Sequence, residues 1–223
     1  MPRELASLRA FIEASTVVGA PPLLPEISLH LATDVTPLWH ATERELAEEG
    51  LPPPFWAFAW AGGQALARHL LDTPRLVRDK RVLDFASGSG LVAIAAARAG
   101  AASVAAVDRD PVAAVAIQLN AALNAVRVEA RCEDPCGDEE AAAWVVDAEV
   151  VLAGDVCYDH AMAPAVMAWL RRRAAAGALV LLGDPGRAYL PGEGISELAR
   201  FTVPTLDGVE AREALCGVVY RVI

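Results

Sequence analysis

The chain has 223 residues, a formal net charge of −10 and 55% hydrophobic residues. This length fits one α/β domain with an appended N-terminal segment, and the hydrophobic fraction is ample for a buried sheet covered by helices. The negative charge argues against a nucleic-acid partner, which requires a basic face, and suits a basic protein surface. No stretch of about 18 apolar residues runs free of charge and proline, so neither a membrane-spanning helix nor a membrane partner is expected.

The N-terminal residues MPRELASLRAFIEAS carry two acidic side chains and lack a long apolar run. They therefore do not resemble a secretory signal or an arginine-rich transit peptide. Cys132 and Cys136 are spaced like half of a metal site, but no second pair and no nearby histidine completes it, so no metal site is predicted. Free thiols are typical of a reducing compartment, and we expect a cytoplasmic protein.

Composition changes near residue 55 and divides the chain in two. Residues 1–54 are predicted to form an N-terminal extension that packs on the core, and residues 55–223 to form the main domain. Within the extension, the spacing predicts a helix over 4–14, a short strand over 26–33 and a helix over 40–49, separated by prolines and Gly50.

After Phe55, short apolar runs alternate with alanine-rich helical runs. The predicted strands are 81–86, 103–108, 126–132, 148–155 and 178–184, the predicted helices are 91–100, 111–124, 138–145 and 160–175, and FTVPTL and EALCGVVYRVI form a terminal pair. Strict alternation predicts a Rossmann-like, doubly wound and mostly parallel sheet with helices on both faces. Ligands of such sheets bind outside the carboxyl ends of the strands, where the strand order reverses.

The sequence DFASGSG (84–90) lies between a predicted strand and a predicted helix. Gly88 and Gly90 allow the backbone to pass close to a ligand, and the following helix offers free N–H groups to an anion. That anion could be a pyrophosphate or the carboxylate of a methionine moiety. Asp84 at the strand end would accept a hydrogen bond from an ammonium group, which favours the amino-acid ligand. A tight turn without a ligand is the alternative.

Acidic residues also follow the next two strands. Asp108 can accept two hydrogen bonds from vicinal ribose hydroxyls, or cap the helix that begins at Pro111. Nicotinamide enzymes use the same device, and GSGLVA (88–93) also fits their G-x-G-x-x-A pattern, so these residues do not separate the two cofactors. Asp134 could meet an adenine amino group or be a solvated loop carboxylate.

The fourth strand ends in GDVCYD (154–159), which places Asp155 and Tyr158 at one lip of the cleft. A carboxylate can hold an incoming ammonium and an aromatic hydroxyl can orient it, so the pair fits methyl transfer to an amine, which depends mainly on positioning. Hydride transfer would need a Tyr-x-x-x-Lys or histidine-based site, and a DNA adenine methyltransferase would need a Pro-Pro-aromatic sequence. Neither follows the fourth strand of this chain. Alternatively, Asp155 caps the turn and Tyr158 packs against it.

Five segments together resemble a known family: FWAFAWAGGQALARHLLD (55–72), VLDFASGSGLVAIAAARAGA (82–101), AVDRDPVAAVAIQLN (106–120), GDVCYDHAMAPAVMAWL (154–170) and GDPGRAYLP (183–191). The chain is similar to the seven-β-strand, class I S-adenosylmethionine-dependent methyltransferases. Within them it resembles the lysine methyltransferases that modify the β-subunit of electron transfer flavoprotein, whose D-x-x-Y motif matches Asp155 to Tyr158.

The resemblance implies S-adenosylmethionine as cofactor, S-adenosylhomocysteine as product and a lysine-bearing protein as acceptor. It also implies that Trp60 lines the cofactor pocket, that the turn of Ala86, Ser87 and Gly88 touches the methionine end, and that Asp108 holds the ribose. Ala86 stands where the broad superfamily usually has glycine, and we expect its methyl group to shift the turn only slightly.

Three other functions are compatible with parts of the sequence. They are methylation of a nitrogen in a ribosomal protein or small molecule, binding of a nicotinamide nucleotide, and a non-catalytic binding module, which would tolerate loss of Asp155. After the fifth strand, Asp184 and Arg187 are expected to brace a substrate loop or to pair with one another.

Overall fold

The computed structural model describes residues 2–33, 53–136, 145, 147–204 and 214–223. The helix predicted at 40–49, and nearly all of that predicted at 138–145, lie outside the described residues. No helix within the described ranges combines the length and the apolar character needed to cross a bilayer.

Five α-helices are described, and they follow the predicted helical periodicity closely. They are α1 (Pro2–Ser15), α2 (Ala61–Asp72), α3 (Leu91–Arg98), α4 (Pro111–Leu123) and α5 (Met162–Ala175), with short 3-10 helices at Phe55–Ala57 and Pro74–Leu76. The start of α4 could be predicted because two common helix-start signals are present. The Asp110 side chain accepts a hydrogen bond from the N–H of Val112 at 2.8 Å, and proline occupies the first helical position.

The strands form two sheets. They are β1 (Val17–Gly19), β2 (Leu29–Leu31), β3 (Arg81–Phe85), β4 (Ser103–Asp108), β5 (Glu129–Cys132), β6 (Val150–Gly154), β7 (Leu179–Asp184), β8 (Ile195–Pro204) and β9 (Ala214–Val222). Strand β5 begins later than predicted because Val126 still bonds back to the Ala121 carbonyl at the end of α4. Strand β8 begins earlier than predicted, since an edge strand tolerates charged residues that blur its apolar pattern.

The main sheet has seven strands in the order β5-β4-β3-β6-β7-β9-β8. Strands β3 to β7 pair in parallel, and β9 runs antiparallel to both of its neighbours. The chain therefore winds outward in one direction from β3 to β5 and in the other from β6 onward. This confirms the doubly wound, mostly parallel fold and places the reversal of strand order between β3 and β6.

Alternate residues of the central strands enter different halves of the core. Val82 and Leu152 pack with the apolar faces of α2 and α3, whereas Leu83 and Val151 pack on the other face with α5. On that second face the rings of Phe85 and Trp169 lie 4.8 Å apart between centroids. Helices thus cover both faces of the sheet, as predicted from the near-continuous apolar runs.

The N-terminal segment contributes to the same core. Strand β2 pairs antiparallel with β1, and Leu24, Ile27 and Leu29 are fully buried in the cluster that contains α2 and α3. Ile12 of α1 is also fully buried. The predicted strand at 26–33 is confirmed as β2, but the pairing with β1 was not predicted because its three residues are partly exposed. The domain boundary at residue 54 stays a prediction.

The first turn of α2 is in direct contact with the backbone of the sheet. A Cβ atom at Gly62 would overlap the Gly183 carbonyl of β7, and one at Gly183 would overlap the Gly62 carbonyl. A Cβ at Gly154 of β6 would lie 3.0 Å from the Cα of Gly63. No side chain separates the two elements at this point, so glycine is required on both sides of the contact.

The ends of α3, α4 and α5 share one geometry, and it generates a stability prediction. The second residue after each helix is left-handed: Gly100 (φ 93°), Ala125 (φ 53°) and Gly177 (φ 99°). Only Ala125 carries a Cβ in this strained position. We expect Ala125→Gly to raise the free energy of unfolding by about 0.5–1 kcal/mol, the relieved strain less the greater entropy of the unfolded chain.

Urea denaturation measures this change. The matched control is Ala122→Gly, which lies exposed in the last turn of α4, where we expect a loss of about 0.5–1 kcal/mol. An Ala125→Gly protein less stable than the wild type would contradict the strain argument.

Candidate functional site

Four carboxylates gather where the central strands end. Asp84 is the last residue but one of β3, Asp108 and Asp184 end β4 and β7, and Asp155 directly follows β6. Asp84, Asp155 and Asp184 are at most 7% exposed. The parallel register brings these strand ends to the same edge of the sheet, on both sides of the strand-order reversal. This edge is therefore the candidate active site.

The glycine-bearing turn between β3 and α3 wraps around two of these carboxylates. Oδ2 of Asp84 accepts hydrogen bonds from the Ser87 hydroxyl at 2.5 Å and the Ala93 N–H at 3.0 Å. The Gly88 N–H donates to Oδ2 of Asp108 at 2.9 Å. The structure thus brings four predicted cofactor residues together and orients the turn from both strands.

The backbone of this turn is left-handed at Ala86 (φ 51°), Gly88 (φ 53°) and Gly90 (φ 81°). The conformation at Ala86 gives a physical reason for glycine at that place in related sequences, because a Cβ there is strained. Gly90 faces α4: a Cβ atom on it would lie 3.3 Å from Ile117. Close packing accounts for Gly90, and its predicted contact with a cofactor stays a prediction.

The paired carboxylates fit a ligand that carries positive charge. Burial raises the pKa of Asp84 to about 7, and the nearby Asp108 carboxylate adds to the effect. Burial also raises the pKa of Asp108. An ammonium group at this place would be attracted by Asp84 and would hold it ionised. S-adenosylmethionine, with one ammonium and one sulfonium group, matches the charge of this edge.

The pKa of Asp84 predicts that cofactor affinity depends on pH. Ammonium binding favours the ionised carboxylate, and Asp84 in the free protein takes up a proton as the pH falls through about 7. We expect the Kd for S-adenosylhomocysteine, measured by calorimetry, to rise up to about twentyfold between pH 7.5 and 5.5. Asp84→Asn should bind weakly at pH 7.5 and lose most of this dependence, and a flat wild-type profile would refute the role of Asp84.

Asp155 is the most heavily engaged of the four carboxylates. Oδ2 accepts a hydrogen bond from the Gly63 N–H at 2.7 Å, at the start of α2. Oδ1 accepts two from the Arg187 guanidinium, at 2.8 Å from Nη2 and 3.1 Å from Nε. The same guanidinium lies over the Trp60 ring, 5.5 Å from its centroid. Asp155 therefore links the start of α2, through Arg187, to Trp60 and the loop after β7; the place of Trp60 in the cofactor pocket stays a prediction.

Asp184 and Arg187 pair with one another, as one of the two expectations had it, but the contact is made by the backbone N–H of Arg187. Oδ1 of Asp184 accepts hydrogen bonds from the backbone N–H groups of Gly186 and Arg187, both at 2.7 Å. The turn thus satisfies that oxygen locally, and the Arg187 side chain extends across the edge to Asp155. Closeness in the sequence favoured Asp184 as the partner of Arg187, whereas the strand register brings the more distant Asp155 within reach of its side chain.

Aromatic rings close the mouth of the site. The Trp60 indole N–H donates to the Phe55 carbonyl at 2.9 Å, and the Phe55 and Tyr158 rings lie 5.4 Å apart. Phe55 is 45% exposed and Tyr158 41% exposed. Asp155 and Tyr158 thus lie at the same edge, with the carboxylate buried and the hydroxyl-bearing ring at the surface. Their catalytic roles stay predictions. Phe55 was not predicted as a site residue, although it begins the aromatic segment FWAFAW.

Asp134 lies in the turn after β5, next to the end of β4: Cys132 pairs with Asp108, and the Glu133 N–H donates to the Asp108 carbonyl at 3.0 Å. The Asp134 side chain is exposed and accepts a hydrogen bond from the Cys136 N–H at 3.0 Å, which shapes the turn after β5. Its predicted contact with adenine stays a prediction. Across the part of the chain that the structure describes, no group of three potential metal ligands is found.

The Asp155–Arg187 pair predicts a large cost when one partner is removed. The Asp155 side chain is 8% exposed and that of Arg187 20%. Arg187→Met would leave a buried carboxylate unpaired, which we expect to lower the free energy of unfolding by about 2–3 kcal/mol, less than for a fully dry pair. In Asp155→Asn/Arg187→Met the loss should be smaller than the sum of the single losses; additive losses in urea denaturation would show that the pair is not coupled.

Comparisons with known proteins identify relatives of this chain. The model of the ribosomal protein L11 methyltransferase (PrmA) family matches residues 65–154. The electron transfer flavoprotein beta subunit lysine methyltransferase of Xenopus laevis is 43% identical over 182 residues, covering 81% of this chain and 71% of the relative. The human protein of the same name is 38% identical over 190 residues, covering 84% and 70%.

A solved structure gives the same fold. The magnesium protoporphyrin IX methyltransferase of Synechocystis, determined with bound S-adenosylmethionine, superposes with a TM-score of 0.50 at 18% identity, covering 71% of this chain and 76% of that one. Together with the sequence relatives it identifies the fold as that of S-adenosylmethionine-dependent methyltransferases. The alternative interpretation of GSGLVA (88–93) as a nicotinamide-nucleotide motif is therefore not adopted.

Proposed function

The chain belongs to the electron transfer flavoprotein β-subunit lysine methyltransferase family, and we propose that it transfers methyl groups from S-adenosylmethionine to lysine side chains of that flavoprotein subunit. The names and identities of its relatives support this acceptor. The observation that carries the proposal is the buried acidic edge at β3 to β7, whose mouth is lined by the exposed Phe55 and Tyr158. Such an edge suits a cationic side chain entering from a protein surface.

S-adenosylmethionine, when bound, supplies an electrophilic methyl group on a sulfonium. In this proposal, Asp84, Ser87 and Gly88 hold its amino-acid end and Asp108 holds its ribose. The acceptor nitrogen must then present a lone pair: the N–C bond forms as the C–S bond breaks, and one proton leaves the amine. Lysine has a pKa of about 10.4 in water, so the site must favour the neutral amine at physiological pH.

The residues at the mouth are suited to that task. Arg187 neutralises Asp155, so this carboxylate attracts the ammonium less strongly than a free one and opposes its deprotonation less. Burial raises the pKa of Tyr158 above its usual value, so its hydroxyl keeps its proton at neutral pH. A neutral hydroxyl can accept a hydrogen bond from the amine and orient its lone pair without adding charge.

The direct test is incubation with labelled S-adenosylmethionine and, in separate reactions, purified electron transfer flavoprotein, purified ribosomal protein L11 and a small-molecule extract of the source cells, followed by mass spectrometry that resolves the β-subunit of the flavoprotein. We expect label on lysine in that subunit. Label confined to ribosomal protein L11 would favour the second candidate, which the family match over residues 65–154 supports. Label confined to small molecules would overturn protein methylation altogether.

Two variants test the site at saturating cofactor. Tyr158→Phe keeps the ring on Phe55 and removes only the hydroxyl, and we expect kcat to fall roughly tenfold or more with little change in Kd for S-adenosylhomocysteine. Asp155→Asn should lower kcat at least as much. Tyr189→Phe is the matched control, because Tyr189 is as exposed as Tyr158, at 42% against 41%, and lies on the loop after β7. Wild-type rates in both site variants would end their catalytic assignment.

We further propose that the enzyme works in the cytoplasm. All four cysteines are free thiols in the structure, which is typical of proteins from reducing compartments. Fractionation of the source cells, with immunodetection of the protein in the soluble cytoplasmic fraction, tests this location.

A further inference from the structure

Asn120 of α4 is a completely buried polar residue that joins two distant parts of the chain. Its Oδ1 accepts a hydrogen bond from the His30 N–H of β2 at 2.8 Å. Its Nδ2 donates to the carbonyl of Ser89, in the glycine-bearing turn, at 2.8 Å. One amide group thus holds the N-terminal strand at one end and the turn of the candidate cofactor site at the other.

Asn124 caps the C-terminal end of α4, about one turn beyond Asn120, and holds the residue that directly precedes β2. Its side chain accepts from the Ser28 N–H at 3.1 Å and donates to the Ser28 carbonyl at 2.6 Å. It also receives a hydrogen bond from Arg98 at the far end of α3, at 3.2 Å. None of its described hydrogen bonds reaches the turn of residues 86–90. Both asparagines therefore bind the N-terminal segment, but among the described hydrogen bonds only those of Asn120 also reach the turn.

The turn depends on such outside support. Ala86, Gly88 and Gly90 all have left-handed φ angles, and Ser89 lies between the two glycines. Glycine loses more conformational freedom on ordering than any other residue, so a turn of this kind keeps one shape only when hydrogen bonds determine it. Without the bond from Asn120, the Ser89 carbonyl would be buried and unsatisfied unless the turn rearranged.

We propose that Asn120 is a positioning residue for cofactor binding, and that docking of strand β2 against α4 sets the affinity for S-adenosylmethionine through it. The N-terminal segment then contributes to cofactor binding without touching the cofactor. By linkage, the cofactor must in turn stabilise the docking of β2 by the same free energy.

Calorimetry with S-adenosylhomocysteine on the full chain compares Asn120→Ala with Asn124→Ala. Both variants lose hydrogen bonds to the N-terminal segment, and we expect both to melt at lower temperature. Only Asn120→Ala should raise the Kd, by roughly tenfold, whereas Asn124→Ala should change it less than twofold. Equal increases in Kd would reduce the effect to general destabilisation, and an unchanged Kd in Asn120→Ala would refute the positioning role.

Hydrogen exchange on the wild type tests the coupling even if Asn120→Ala does not fold. S-adenosylhomocysteine should slow exchange in residues 28–31, which include the His30 N–H bonded to Asn120, more than in the edge pair β8–β9. In folded Asn120→Ala this selective slowing should vanish. Equal slowing in both regions of the wild type, or none in residues 28–31, would overturn the proposal.

Discussion

The site rests on one electrostatic constraint: four carboxylates share the edge of a parallel sheet, and three of them are almost fully buried. A buried carboxylate is stable only with hydrogen-bond donors at hand. Here the donors are mostly backbone N–H groups of the connections around the site, from Ala93, Gly88, Gly63 and Gly186. The loops that donate these hydrogen bonds take their conformation from the carboxylates. The same conformation forms the surface of the candidate site.

Arg187 is the cation that makes the arrangement tolerable on one side of the strand-order reversal. Its guanidinium pairs with the Asp155 carboxylate, which also bonds to the start of α2, and it covers the Trp60 ring. One side chain thus connects the buried charge, the aromatic ring and the start of the helix. On the other side of the reversal, Asp84 and Asp108 accept hydrogen bonds from the Ser87 hydroxyl and from backbone N–H groups, and burial raises the pKa of both. The positive charge of a bound cofactor would complete that half of the site.

Local sequence patterns predicted most of the fold because the elements are themselves local. The strand at 103–108 and the helix from Pro111 match the observed elements, since apolar runs, an N-cap and a proline mark them directly. Contacts across the sheet edge were harder to predict. Nothing near Arg187 in the sequence points to Asp155, and nothing near Asn120 points to His30, because the fold alone brings these residues together.

The candidate site shows the same division. Asp84, Ser87, Gly88 and Asp108 were predicted together because a strand-to-helix turn and the next strand end are recognisable motifs, and the structure joins them by hydrogen bonds. Asp155 was predicted to hold an incoming ammonium or to cap the turn, and in the structure it accepts hydrogen bonds from three donor atoms of Gly63 and Arg187. Sequence indicated the residue type that the chemistry needs, whereas its partners depend on packing.

The contact between α2 and the sheet has a consequence for how this protein can vary. At Gly62 and Gly183 two backbones meet with no side chain between them, so neither position can be altered without lifting the helix that follows Trp60. Flexible side chains elsewhere absorb a substitution by changing rotamer, but here there is nothing to deform. Any lineage that places a larger residue on one side must move α2 together with Trp60, so we expect these two glycines to stay unchanged while side chains around the site vary.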